Sequence, residues 1–103
     1  MDVGSNTVKL AVPIMDGNKE LTELPFREPK MKDIMKLGYP YMLVSQDDEM
    51  GVQILVARIV KYIALLTGNV QPVIEQLSMA DFNACQNVVM GFFMGALQDI
   101  QGR

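Results

Sequence analysis

The sequence predicts an α+β fold, in which an N-terminal β-hairpin precedes a mostly helical region of three helices. Apolar residues alternate with polar or small residues from Val8 to Ile14, which is the period of a strand with one buried face. After Pro29 the apolar residues recur at helical spacing instead. At 103 residues and 50% hydrophobic composition, the chain is expected to form a single domain over residues 1–103.

The hairpin is predicted over residues 8–26. Four apolar residues are expected to share the buried face of its first strand: Val8, Leu10, Val12 and Ile14. Pro13 fits an edge position, because proline has no N–H for the strand ladder. Asp16-Gly17 suits a tight turn, since glycine adopts positive φ without strain. A two-stranded hairpin is marginally stable alone, so it is expected to pack on the helices that follow.

Three helices are predicted, over residues 29–37, 46–67 and 79–100. Pro29 suits the first turn of the first helix. Ser45 is expected to cap the second helix, which ends at Gly68. The third helix has the clearest start signal, with Ser78 as N-cap and Asp81 reaching back to the cap.

Composition argues against catalysis, metal binding and cofactor binding. The chain has no His and one Cys, which removes Cys-His nucleophile pairs, His-Cys zinc sites and intramolecular disulfides. The run Asp47-Asp48-Glu49 does not form a metal site on a helix, because consecutive side chains diverge by about 100° each. These acids are expected to stabilise the first helical turn, and Cys85 is expected to be a small buried apolar residue. We therefore expect no enzyme and no cofactor.

Charge and hydropathy argue against nucleic-acid and membrane partners. Nine basic residues against twelve acidic ones give a net charge of −3, without the footprint of a nucleic-acid binder. Four basic residues lie within ten positions: Arg27, Lys30, Lys32 and Lys36. Glu28 and Asp33 interrupt them, which favours a solvated face, and a salt-sensitive nucleic-acid binder remains the rival hypothesis. The longest apolar-rich stretch, residues 52–66, is too short to span a bilayer.

The methionines indicate where a partner could bind. Projected as a helix, six residues of the last helix gather in one core-facing sector: Phe82, Cys85, Val89, Phe92, Ala96 and Ile100. The opposite sector holds four polar residues: Asn83, Asn87, Gln98 and Gln101. Met90 and Met94 lie among these polar residues. Because Met repacks around varied side chains, this pair is expected to be exposed for an apolar partner or covered by another helix or a second copy of the chain.

The predicted second helix offers another candidate surface. It is apolar around most of its circumference, and Ile54 and Leu65 lie on the same side as Arg58 and Lys61. Such a helix is either central in the fold or covered by a partner. Ile54 and Leu65 therefore complete the candidate partner-binding set.

Four segments, taken in order, carry a family resemblance. Residues 8–14 and 20–24 resemble the opening strand pair of one protein family, and residues 26–34 resemble that family's pattern L-R-E-P-x-x-x-D-L. Residues 65–68 resemble an L-T-G helix end, and residues 77–93 resemble L-S-x-A-D-x-x-A-L-Q-x-V-V-x-G-F. In these segments the chain is similar to the tail assembly chaperones of Mu-like and related contractile-tailed phages and prophages. Lys32 and Cys85 depart from the pattern, where Gly and Leu are usual.

The resemblance implies a non-enzymatic assembly factor. Such a chaperone binds the long, apolar, helical tape measure protein and keeps it soluble until tail tube subunits polymerise around it. It acts in the host cytoplasm and does not remain in the mature virion. Many members also exist as a longer, frameshifted form that recruits the tail tube protein, and this chain would be the short form.

One alternative stays open beside the chaperone hypothesis. The chain could be a small self-associating structural or adaptor protein of a phage or prophage, with no client-holding activity. Such a protein would form a concentration-dependent homo-oligomer through its Met-bearing face and would have no affinity for apolar helices.

Overall fold

The computed structural model describes residues 6–101, with side chains as far as Met94. The elements follow in the order β1 (Thr7–Asp16), β2 (Lys19–Pro25), α1 (Met31–Leu37), β3 (Tyr41–Gln46), β4 (Glu49–Ile54), α2 (Val56–Thr67), α3 (Gln71–Ile74) and α4 (Met79–Gln101). The strands form two separate antiparallel hairpins, β1–β2 and β3–β4. The α+β class and the N-terminal hairpin are confirmed, and a second hairpin is added to them.

The first hairpin closes on Gly17, whose φ of 63° is the left-handed conformation that a tight turn requires. Its register shifts between Lys9 and Ile14, so that part of β1 bulges out of the ladder. Pro13 lies in this bulge, where no ladder hydrogen bond requires the N–H that proline lacks. The bulge also makes one prediction wrong, because Val12 is exposed whereas Val8 and Ile14 are buried.

The predicted helix over residues 46–67 is wrong in its first half. Residues 41–54 form the second hairpin, and α2 begins only at Val56. Asp47 and Asp48 form the turn, with φ of 53° and 67°. Positive φ at both central residues is the type I′ turn that joins the strands of a two-residue hairpin. The acids that were expected to stabilise a helix start therefore reverse the chain instead.

The other helix boundaries agree closely with the sequence signals. Helix α1 begins at Met31, slightly later than the predicted residue 29. Helix α2 ends at Gly68 in the left-handed conformation, and the Asn69 N–H donates to the Ala64 carbonyl at 2.9 Å. This bond is the closing bond of a Schellman motif. Ser78 caps α4 as predicted, its Oγ accepting from the Asp81 N–H at 3.2 Å.

The core lies between the first hairpin and the helices. Strand β1 packs on α3 and α4, and α2 packs on α3 and α4. Twelve buried residues form the cluster: Val8, Leu24, Phe26, Ile59, Tyr62, Ile63, Ala64, Leu66, Ile74, Cys85, Val89 and Phe93. The expectation that the N-terminal hairpin packs on helices is thus confirmed.

Helix α4 buries a line that differs from the predicted one. Four residues spaced by four are buried: Asp81, Cys85, Val89 and Phe93. Cys85 and Val89 were predicted correctly, but Phe93 takes the fully buried position expected of Phe92, which is only partly buried. The side chains of Ala96, Gln98, Ile100 and Gln101 lie outside the described residues.

Candidate functional site

The hairpin β3–β4 projects from the body of the molecule. Every residue from Met42 to Gln53 is exposed, while Tyr41 and Ile54 at the base pack against the core. The Leu55 N–H donates to the Pro40 carbonyl at 2.9 Å and closes that base. The hairpin is therefore anchored at one end and open to solvent along its length.

One face of this hairpin is apolar. Residues directly opposite each other in the register share a face, and Leu43 pairs with Val52 while Ser45 pairs with Met50. Leu43, Val52 and Met50 are 63%, 48% and 70% exposed. These three side chains, here called the apolar ladder, continue the face that begins with Tyr41 and Ile54 at the core. On the other face, Met42 and Val44 lie among Gln46, Glu49, Gly51 and Gln53.

An aromatic cluster supports the base of the apolar ladder. The Phe93 ring lies 5.4, 5.9 and 6.4 Å from the ring centres of Tyr62, Tyr39 and Tyr41, in edge-on geometry. The Tyr62 hydroxyl donates to the Gly38 carbonyl at 2.6 Å, and burial raises the pKa of Tyr62. This cluster ties α2, α4 and the loop before β3 together, so the ladder starts from a fixed support.

The structure separates the predicted binding residues from one another. Met90 is partly buried and packs against the core, and Met94 is also partly buried. The expectation of an exposed Met90 is therefore wrong, because the core of the same molecule covers it. Met90 flanks the exposed Asn83 and Asn87 side of α4, but its long unbranched side chain reaches the core from there.

Ile54 and Leu65 do not share a helix face. Ile54 is the last residue of β4, at the base of the apolar ladder. Leu65 lies on α2 in a shallow groove beside Leu37 and Lys61. Of the four predicted residues, only Ile54 adjoins the apolar ladder, at its base.

The apolar ladder was missed because its residues were assigned to a helix. Apolar side chains recur with a period of two at Met50, Val52, Ile54 and Val56, which is typical of a strand. Gly51 within this segment also disfavours a helix. These two signals were sufficient to predict β4.

Part of the basic segment has a structural role. Arg27 donates to both carboxylate oxygens of Asp33 at 2.9 and 3.1 Å, and the Lys30 N–H donates to Asp33 Oδ2 at 2.7 Å. The guanidinium, and then the backbone bond, lower the pKa of Asp33 to about 2. The R-E-P-x-x-x-D segment therefore joins β2 to α1 through a bidentate ion pair.

Three further observations concern the thiol, the metal-binding groups and the helices of the described residues. Cys85 is buried, and desolvation raises the pKa of its thiol to about 12, so the thiolate nucleophile is not formed near neutral pH. Residues 6–94 contain no group of three metal-ligating side chains. Within the same described part of the chain, no helix has the length and apolar character needed to cross a bilayer.

Comparison with known proteins identifies a family. The family model for phage tail assembly chaperone proteins, E, or 41 or 14 matches residues 7–94. Neither the curated proteins nor the solved structures gave a match to the chain. The matched residues include both hairpins, helices α1, α2 and α3, and most of α4. The chain therefore belongs to the family of phage tail assembly chaperone proteins.

Proposed function

We propose that this chaperone binds the apolar, helical tape measure protein through the apolar ladder and keeps it soluble until tail tube subunits polymerise around it. The observation that carries the proposal is the exposure of Leu43, Met50 and Val52 on one face of a projecting hairpin. Adjacent exposed apolar side chains that form one patch are typical of a surface that a partner covers, whereas single exposed ones are not. A ladder of aliphatic side chains and a methionine suits an apolar helix of varied sequence.

The strength of each contact fits a holding role. Burying a Leu, Val or Met side chain completely contributes roughly 1.5–3 kcal/mol, and these three are already part-covered. A single copy would then contribute a few kcal/mol, which is a weak and reversible interaction. Many copies along a long client would hold it securely and still allow displacement by tube subunits.

The rest of the proposal follows from the same role. We propose a non-enzymatic protein that requires no cofactor, acts in the host cytoplasm and is released before the virion is complete. A longer frameshifted form would bring the tail tube protein to the client. Neither a membrane nor a nucleic acid takes part.

Co-expression with a tape measure fragment tests the proposal. L43T/V52T removes two ladder side chains, and Thr retains strand propensity on both strands. We expect the affinity for the fragment to fall about tenfold or more and its soluble fraction to fall with it. M42T/V44T makes the same kind of change on the opposite face of the same hairpin. This control should hold the fragment as the wild type does.

Three results would contradict the proposal. Equal loss in both folded variants would show that binding is not confined to the apolar ladder, and retention in both would remove the hairpin from client binding. A wild-type protein that associates with itself but leaves the fragment insoluble would favour the adaptor alternative. Circular dichroism of each variant checks that the fold is kept, since exposed substitutions change stability by within about 0.5 kcal/mol per site.

A further inference from the structure

The tip of the second hairpin is acidic. Asp47, Asp48 and Glu49 are exposed there, next to Met50. No basic residue occurs between Lys36 and Arg58 in the sequence, so the whole hairpin lacks a positive charge. We refer to residues 47–50 as the acidic tip.

The outward face of α1 has the opposite charge. Met31 and Met35 are 66% and 78% exposed and lie one turn apart. Lys32 and Lys36 follow each of them by one position and share the same outward side. The acid of this helix, Asp33, points the other way, because it is buried against Arg27. We refer to Met31, Lys32, Met35 and Lys36 as the basic helix face.

The two surfaces match in charge and in shape. Three carboxylates lie at the acidic tip, and two ammonium groups lie on the basic helix face. Met31 and Met35 are about 6 Å apart along the helix, so they form a short apolar strip beside the lysines. Met50, at 70% exposure, is the side chain that the acidic tip offers to this strip. Within the described residues, no hydrogen bond or ion pair joins the acidic tip to α1 of the same molecule.

We propose that the acidic tip of one copy of the chain binds the basic helix face of the next copy. The two surfaces are different parts of the molecule, so the contact is head-to-tail and repeats from copy to copy. Each copy then has one occupied tip and one occupied helix face, and a row of chaperones forms. Leu43 and Val52 lie further down the hairpin and stay open to the client in this arrangement, whereas Met50 contacts the neighbouring copy. The proposal does not depend on the client, because its test contains the chaperone alone.

Sedimentation velocity across a range of protein and salt concentrations tests this self-association. The tip variant D47N/D48G/E49K changes the tip charge from −3 to +1 and keeps the turn, since Asn-Gly is a preferred type I′ pair. The helix variant K32E/K36E changes the charge of the basic helix face from +2 to −2. Each variant alone should associate about tenfold more weakly than the wild type, because its two surfaces no longer attract each other. Added salt should weaken the wild-type association.

Mixing the two variants gives the decisive result. The positive tip of the first fits the negative helix of the second, and the unchanged surfaces also fit each other, so the mixture should associate again. A wild-type protein that stays monomeric would overturn the proposal, as would variants that associate unchanged. Weakened variants that do not recover on mixing would show that the two surfaces do not contact each other. The variant E20K/E23K makes a matched +4 change on exposed residues of β2 and should associate as the wild type does.

Discussion

Two buried carboxylates illustrate what single residues do in this fold. Asp33 accepts from Arg27 and from the Lys30 N–H, so both of its contacts are local in sequence. Asp81 accepts from the Ala11 and Val12 N–H groups of the β1 bulge at 3.0 Å each, seventy positions away. The sequence predicted Asp81 as part of a helix cap, because cap signals are local. No local pattern predicts a bond between a helix start and a distant bulge.

The Asp33 ion pair predicts loss of stability in acid. The folded pKa of Asp33 is about 2, below its usual 3.8, so its contribution is complete above about pH 4 and is lost as the pH falls through 2. We expect this residue to contribute about 1–2 kcal/mol, reduced by solvent screening because the Arg27 side chain is 41% exposed. Hydrogen bonds from the Ala11 and Val12 N–H groups also lower the pKa of Asp81, so the stability that Asp81 contributes is likewise lost as the pH falls.

Urea unfolding at pH 7, 4 and 2 measures this effect. The variant Asp33→Asn should be less stable than the wild type at pH 7 and should lose less stability between pH 4 and 2. If the two proteins lost the same free energy of unfolding over that interval, the ion pair would not be the source of the acid sensitivity.

At the scale of elements, the two hairpins explain which predictions succeeded. The first hairpin was found because Val8 to Ile14 alternates clearly and Asp16-Gly17 is a strong turn signal. The second was missed because Asp47-Asp48 resembles the first turn of a helix as closely as it resembles a hairpin turn. The apolar run Met42-Leu43-Val44 hides the period of two in β3. The candidate site is built on this hairpin, so the wrong assignment of this one element left the site unpredicted.

The turn of the second hairpin predicts a stabilising substitution. Asp48 has φ of 67°, a conformation that costs L-residues about 1–2 kcal/mol and glycine little. Asp48→Gly should therefore slow amide hydrogen exchange in β3–β4 about fivefold, which corresponds to roughly 1 kcal/mol. Gly17→Ala is the matched control in the first hairpin, where φ is 63°, and it should speed exchange there. Faster exchange in β3–β4 of the Asp48 variant would contradict the turn assignment.

The whole molecule combines a packed body with a projecting hairpin. The body contains β1–β2 and the helices, and its core was largely predictable from apolar periodicity at positions such as Val8, Cys85 and Val89. The hairpin contributes only Tyr41 and Ile54 to that core. The period of two at Met50, Val52 and Ile54 indicates a strand, but periodicity does not tell whether the apolar side of that strand faces the core or a partner.

Shortening the second hairpin should separate folding from binding. Replacing residues 43–52 with Asn-Gly makes Met42–Gln53 the pair that flanks the turn. In the wild type this pair is Gln46–Glu49. Both pairs are of the same type in the alternation of hydrogen-bonded and non-hydrogen-bonded pairs, so a two-residue turn fits either. The removed side chains are all exposed, so the free energy of unfolding should change by less than about 1 kcal/mol. Solubilisation of the tape measure fragment and self-association should both be lost.

The first hairpin offers the matched control for this shortening. Replacing residues 15–20 with Asn-Gly is the same type of edit, closed on the Ile14–Leu21 pair. It removes the bonds that the Met15 N–H and carbonyl make with the Gln76 side chain at 2.9 and 2.8 Å. We expect it to cost about 1 kcal/mol or more in thermal or urea unfolding, while client binding is retained by the folded fraction. A body that unfolds when the second hairpin is shortened, or a shortened protein that still holds its client, would contradict the division between a supporting body and a binding hairpin.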